Sequence, residues 1–466
     1  MKPLQGITTV LFILAVISPN PLPAQGQSLL LKNAKIYTMG EMGVLEKAMM
    51  LVEGGKIKKI GQDIASPQSV QVFDLSGKTV IPGIICASSS LFLHERDLAY
   101  AGEEEPDTNI LEGVHYFDAS IREVLKHGVT TVYISPVSFR STGALGAVVK
   151  LSAADKGKLN ILREKAGLSF RLDRVEDKRS SNILRLAQYH RIRDVFKQAQ
   201  EYRKEWQDYE KKLGEYEEKN RDYEKKLKDD AAKKAASKPA DLKKPKKPEK
   251  PKTDEAKEIL LQAMDKKIPV RFKVHRPDAI LQALRLAEEF GLLAILEEGE
   301  EWGSVLAEIE RASGSLLFNP LQNYRKFVIP GGEKGYAASS LKIRGSDLFY
   351  SDVESASKTG YRRGDWKKLA ASKVPCALIP PDQFTLSARF MRLYASFLVS
   401  QGISQDAALS AITSKAAQIL GVSERVGSLG EGKDADFVVL EGDPLDSMAV
   451  IQMVFVDGLT AWKREK

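Results

Sequence analysis

Between Thr79 and Ile379 the chain repeats one pattern: a short β-prone apolar run, a stretch of helical periodicity, then another run. That alternation marks parallel βα units and restricts the middle of the chain to an α/β fold. The candidate strands are Thr79–Ala87, Val129–Ser135, Leu145–Leu151, Gly167–Leu172, Pro269–Val274, Leu292–Glu297, Ser315–Phe318 and Pro375–Ile379, and eight such runs fit a (β/α)8 TIM-type barrel. Asp278–Phe290 (DAILQALRLAEEF) sets Ile280, Leu281, Leu284, Leu286 and Phe290 mostly along one side, as an outer barrel helix requires. The first and eighth strands of a closed barrel are neighbours. Cys86 and Cys376 are therefore expected on neighbouring strands, either as a disulfide in an oxidising compartment or as two small buried thiols.

The two ends have a different texture. Leu29 to Ile81 and Leu429 to Trp462 alternate short apolar runs with glycine turns, the pattern of small antiparallel strands. Neither end can bury both faces alone, so we expect one β-sandwich assembled from both. Ahead of it, Lys2, the apolar run Ile7–Ile17 and Pro19, Pro21 and Pro23 predict an export signal over residues 1–26; the run is too short to span a bilayer. The expected organisation is signal 1–26, sandwich 27–81, barrel 82–427 and sandwich again 428–466. A periplasmic or secreted product with no membrane span after cleavage is implied.

An insert over 195–254 interrupts the barrel between its fourth and fifth strands. Val195, Ala199, Tyr202, Trp206, Tyr209, Leu213, Tyr216, Asn220, Tyr223 and Leu227 recur at alternating four- and three-residue steps, a heptad seam on a long helix. This seam is either a coiled-coil arm for a protein partner or self-association through Tyr202–Leu227, or a helix packed on its own barrel. Beyond it, Ala231–Lys252 carries nine lysines against Asp241 and Glu249, with almost no large apolar residue, and predicts a solvated, mobile linker. That surplus of seven accounts for nearly all of the +8 net charge, so the basic balance does not point to nucleic acid. Two cysteines in 466 residues exclude a disulfide-rich scaffold and a cysteine zinc cluster.

Several segments carry a resemblance. VIPGIICASSS (Val80–Ser90), GVTTVYISP (Gly128–Pro136), GALGAVVKL (Gly143–Leu151), VRFKVHRPDAILQALRLAEEFGLLAILEEG (Val270–Gly299) and AITSKAAQILGVSERVGSLGEGKDADFVVLEGDPL (Ala411–Leu445) occur in the order found in the amidohydrolase superfamily. The match is to its exported, imidazolonepropionase-like branch. The resemblance implies a metal-dependent hydrolase of carbon–nitrogen bonds, using zinc or another divalent ion. At the positions of the family's metal-binding histidines, however, this chain has Ser88 and Ser90 on the first strand, Lys273 on the fifth and Glu298 on the sixth, and Cys86 replaces the family's aspartate. His275 survives beside Lys273 as a pocket-lining or a structural residue, and the catalytic aspartate near the eighth strand aligns with Pro381 or Asp382.

Serine hydroxyls are poor ligands for such metals, and a protonated lysine has no lone pair to offer. No metal or other cofactor is therefore expected. His94, His115, His127 and His190 are scattered, and no GxSxG elbow or Walker motif offers a substitute chemistry. Three functions stay open: a binding protein or pseudoenzyme holding a small molecule at the barrel mouth, a hydrolase of amides or cyclic amides using Asp382, Glu298 and serine hydroxyls, or an interaction protein acting through the insert. In the first, Lys273 and Glu298 form an ion pair at the former metal position, with Ser88 and Ser90 donating to the carboxylates.

Overall fold

The computed structural model describes residues 28–67, 70–93, 106–115, 117–135, 143–151, 160–172, 182–232, 243–299, 301–321, 365–380 and 385–465. The expected export signal, His94, Asp382 and residues 233–242 of the expected linker lie outside the described residues. No helix among those described is long and apolar enough to cross a membrane.

The chain ends do assemble one unit. Strands β1 (Leu29–Tyr37), β2 (Val44–Glu53), β3 (Lys56–Gly61), β4 (Gln71–Asp74) and β5 (Lys78–Pro82) come from the first end, and β14 (Phe437–Glu441), β15 (Val450–Val456) and β16 (Leu459–Lys463) from the last. They form a single sheet in the order β16-β15-β14-β5-β1-β2-β3, with β4 beside β1. The join is the antiparallel pair β5–β14, from Lys78 opposite Glu441 to Pro82 opposite Phe437. The sheet curls until β3 meets the chain before β14, where Ile57 N donates to Lys433 O and Ala435 N to Gly55 O, both at 2.9 Å. Its inner face buries Leu31, Ile36, Met50, Val80, Phe437 and Phe455, the last two stacked at 4.4 Å.

The second sheet is the barrel, running β6 (Ile84–Ser89), β7 (Val129–Ile134), β8 (Leu145–Lys150), β9 (Asn160–Arg171), β10 (Val270–Lys273), β11 (Ala294–Glu297), β12 (Ser315–Phe318) and β13 (Cys376–Leu378) in sequence order. Two expectations need correction. First, β8 is antiparallel to both β7 and β9, so the sheet is not uniformly parallel. No helix links it to β7 or β9 among the described residues, and without a crossover a strand must return antiparallel. Second, the hydrogen-bonded path does not close from β13 to β6. The main chain at Ala411–Ile412 bridges those edges, with Leu378 N donating to Ala411 O (3.1 Å) and Ile85 N to Ile412 O (2.8 Å). Cys86 and Cys376 thus stand on the two facing edge strands and are free thiols. Burial pushes the Cys86 thiol up to about 12 and that of Cys376 to about 11.

Pro82-Gly83 turns the chain from one sheet into the other. A Cβ at Gly83 would lie 2.0 Å from Thr130 Oγ1, so only glycine fits this approach. Helices α1 (Ser120–Leu125), α2 (Asn182–Ala232), α3 (Glu255–Met264), α4 (Pro277–Phe290), α5 (Leu306–Arg311), α6 (Asp365–Ala371), α7 (Met391–Ser400), α8 (Gln405–Ser410) and α9 (Ser414–Leu420) complete the fold. Helix α4 begins with Pro277, ends on left-handed Gly291 and buries Ile280, Leu284, Leu286 and Phe290 as its periodicity predicts. Helix α2 runs unbroken for 51 residues. Its first half is fixed to the barrel by Phe196, which packs on Phe170 and Phe290, and by the Arg193–Glu289 ion pair at 2.8 Å.

Candidate functional site

On a strand successive side chains alternate, so Arg271 and Lys273 of β10 share one side of the sheet. The Arg271 guanidinium lies in the barrel interior. Its Nε donates to Glu297 Oε2 at 2.8 Å, its Nη2 to the Ala87 carbonyl at 2.8 Å, and its Cζ stands 3.7 Å from the centre of the Tyr133 ring. Space for this stack comes from two strand glycines. A Cβ on Gly146 would fall 2.0 Å from the Tyr133 hydroxyl, and one on Gly167 2.6 Å from Arg271 Cδ.

Glu297, at the end of β11, is fully buried and accepts on both oxygens: Arg271 on one, and Ser88 Oγ (2.5 Å) and Ser135 Oγ (3.2 Å) on the other. Burial alone would raise its pKa, but Arg271 and Lys273 outweigh that and hold the carboxylate below its ordinary range. Tyr133, buried in the same layer, is pushed up to about 12 and stays a neutral phenol.

One step beyond lies a second pair of groups. Glu298 has a positive φ of 62°, a conformation that costs a non-glycine residue about 1–3 kcal/mol and gathers at functional sites. Its Oε2 meets His275 Nε2 at 3.1 Å and Arg171 Nη1 at 3.7 Å. Burial opposes its ionisation, yet Arg171, the His275 hydrogen bond and Lys273 hold it well below the usual carboxylate range. Lys273 is buried at the end of β10. Desolvation lowers its pKa, which the charges of Glu297 and Glu298 partly restore and those of Arg171 and Arg271 depress further.

The structure therefore brings Ser88, Lys273, His275 and Glu298 to one end of the barrel, with Ser90 buried on the turn after β6. Ser88 donates to Glu297, and Glu298 is held by His275 and Arg171 as well as by the field of Lys273. Asp382 lies outside the described residues. Sequence reasoning missed Arg271, Glu297, Ser135 and Arg171. The available signal was a pair of basic residues two apart on an interior strand, VRFK, facing two consecutive glutamates, LEEG.

The residues present do not fit a divalent metal. No three His, Cys, Asp or Glu side chains gather as a metal site among the described residues. Glu297 is already saturated by three donors, and Arg271 and Lys273 would stand against an incoming dication.

Residues 383–460 match the model of a family described as "Amidohydrolase family". The chain is similar to the imidazolonepropionase of Deinococcus radiodurans, 34% identical over 68 residues, which are 15% of this chain and 14% of that enzyme. It thus spans only a small part of the curated relatives it matches in sequence. Among solved structures it is similar to an amidohydrolase from Thermotoga maritima, with a TM-score of 0.70 and 26% identity over 94% of this chain and 100% of that one. A putative prolidase from Bifidobacterium longum shares the fold at a TM-score of 0.52 and 18% identity, over 94% of this chain and 95% of the other.

Proposed function

Because this chain belongs to the amidohydrolase superfamily, we propose that it is an exported member that binds a small polar molecule at the barrel mouth and does not use the superfamily's metal-dependent hydrolysis. The buried Arg271–Glu297 pair carries this reading. A metal-dependent hydrolase needs a Lewis acid at the strand ends to lower the pKa of its water toward neutrality. Here fixed guanidinium and ammonium groups supply the positive charge beneath the strand ends. They neutralise carboxylates but, when protonated, offer no lone pair to a metal.

The test is metal analysis of purified protein beside a S88H/S90H/K273H/E298H variant. Wild type is expected to carry no stoichiometric transition metal and the variant to gain zinc. Stoichiometric metal in wild type would overturn the proposal. Export is checked separately, by sequencing the amino terminus of protein recovered outside the cytoplasm; cleavage near residue 26 is expected.

A second reading is metal-free hydrolysis of carbon–nitrogen bonds in amides or cyclic amides. One observation favours it: the lowered pKa of Lys273 leaves an amine nearer to neutrality beside two carboxylates. Turnover of a cyclic amide that persists in chelator and is lost in Lys273→Met would establish this reading over the first.

A further inference from the structure

Within the segment expected to be a mobile linker, Lys243–Lys252 runs as a ribbon whose burial repeats every three residues. The sequence KKPKKPEKPK places Pro245, Pro248 and Pro251 three residues apart; these prolines are half-buried, and every other residue from Lys243 to Lys252 is exposed. Prolines at every third residue favour a polyproline-like extended backbone, in which they would share one edge and the lysines and Glu249 the other two. On α2, beyond Tyr202, the half-buried residues include the aromatic seam positions Trp206, Tyr209, Tyr216 and Tyr223, with Leu213 and Asn220 between them. The ribbon returns to the root of that seam. Lys250 Nζ stands 5.5 Å over the Trp206 ring, and Asp254 N donates to the Tyr202 hydroxyl at 3.3 Å.

The consequence is electrostatic. The ribbon sets six lysines, Lys243, Lys244, Lys246, Lys247, Lys250 and Lys252, against Glu249 alone, a surplus of five. Helix α2 from Arg203 to Lys228 is nearly balanced, with nine basic residues against eight acidic. The salt bridges of this arm lie at its root, Arg203–Asp265 and Lys257–Asp254, and none involves the six lysines among the described residues. The arm thus carries most of the chain's excess charge as an exposed comb of lysines.

We infer that this comb is a docking surface for an anionic lipid bilayer, held at the level of the headgroups. With its prolines half-buried and its lysines exposed, the ribbon can present those lysines together to a flat charged surface. No large apolar residue stands among them to insert into the acyl region. The lysine segment itself carries no aromatic ring to stack on nucleic-acid bases, which disfavours a single-stranded nucleic acid. Binding is therefore electrostatic, reversible and salt-sensitive.

The test is co-sedimentation of the full chain with vesicles of phosphatidylcholine containing graded phosphatidylglycerol, at two salt concentrations. Wild type is expected to bind in proportion to phosphatidylglycerol and to be released by salt. K244Q/K247Q/K252Q should weaken binding on the order of a hundredfold, at roughly fivefold per lysine. P245S/P248S/P251S keeps every charge but releases the ribbon from the seam, and should weaken binding severalfold. Unchanged α-helical circular dichroism checks that each variant is folded. Failure of wild type to bind the anionic vesicles, equal binding by the lysine variant, or preferential binding of duplex DNA that displaces the vesicles would each overturn the inference.

Discussion

Glu297 and Arg271 form a fully buried ion pair, and each is tolerable in a dry barrel only because of the other. Removing one leaves an uncompensated buried charge, which costs about 3–5 kcal/mol. Glu297→Gln is therefore expected to destabilise the protein by that amount in urea denaturation. A paired R271M/E297L change, which removes both charges, should cost less than either single change. At the opposite end of the barrel, Lys150 of β8 is buried against Asp434 (2.6 Å), Asp436 (3.0 Å) and Asp457 (2.5 Å) of the terminal unit. Asp434, also bonded by Lys56 and Arg425, is held below its ordinary range despite burial. Asp436 is pushed up to about 6 by burial, against the pull of Lys150 and reinforced by the charge of Asp457. A carboxyl that binds its proton more tightly when folded contributes stability that is full below its unfolded pKa and is lost as pH rises through about 6. Asp436→Asn should flatten the dependence of Tm on pH between about 4 and 6, whatever its effect on Tm itself. A slope equal to that of wild type would show that Asp436 does not titrate there.

Among the elements, the arm separates what the sequence discloses from what it withholds. The long helix was legible because apolar spacing is a local signal, although of the expected seam Leu227 is exposed and Phe196, not Val195, is the residue buried at its start. The packing of the ribbon was not, because lysine-rich composition argues for solvation, and only the three-residue period of Pro245, Pro248 and Pro251 argues against it. With the ribbon seated, a lysine-directed protease should cut slowly between Lys243 and Lys252, and P245S/P248S/P251S should be cut there at least on the order of tenfold faster, as exposed, released backbone is. Equal rates would mean that the prolines do not hold the segment. The strands tell a similar story. Their positions follow from apolar runs, but the reversed direction of β8 depends on connection geometry, and residue composition carries no sign of it. In the site, the motif positions Ser88, Lys273 and Glu298 were legible by alignment. Arg271 and Glu297 were hidden because their meaning rests on register across β10 and β11, where Phe272 stands opposite Leu296 and Lys273 opposite Glu297.

For the whole molecule, distant parts of the chain complete one another. Strand β5 takes its partner from residues 437–441, Lys150 takes its counter-charges from residues 434–457, and the edges β6 and β13 are joined through residues 411–412. A chain ending at residue 405 would keep every barrel strand yet lack the bridge and the β14 partner. It should be recovered as an expanded, dye-binding species without a cooperative thermal transition; a sharp transition from this truncated chain would show that the barrel closes unaided.

The bridge at Ala411–Ile412 also bears on how the protein is made. A growing chain on the ribosome emerges from its amino terminus, so β1 to β6 are outside the exit tunnel long before the residues that complete them are translated. These apolar strands must wait through most of synthesis with their edges open, which is the condition under which nascent chains recruit chaperones and pair wrongly with one another. The order of translation thus makes the synthesis of residues 411–441 the step that commits these strands to their native pairing.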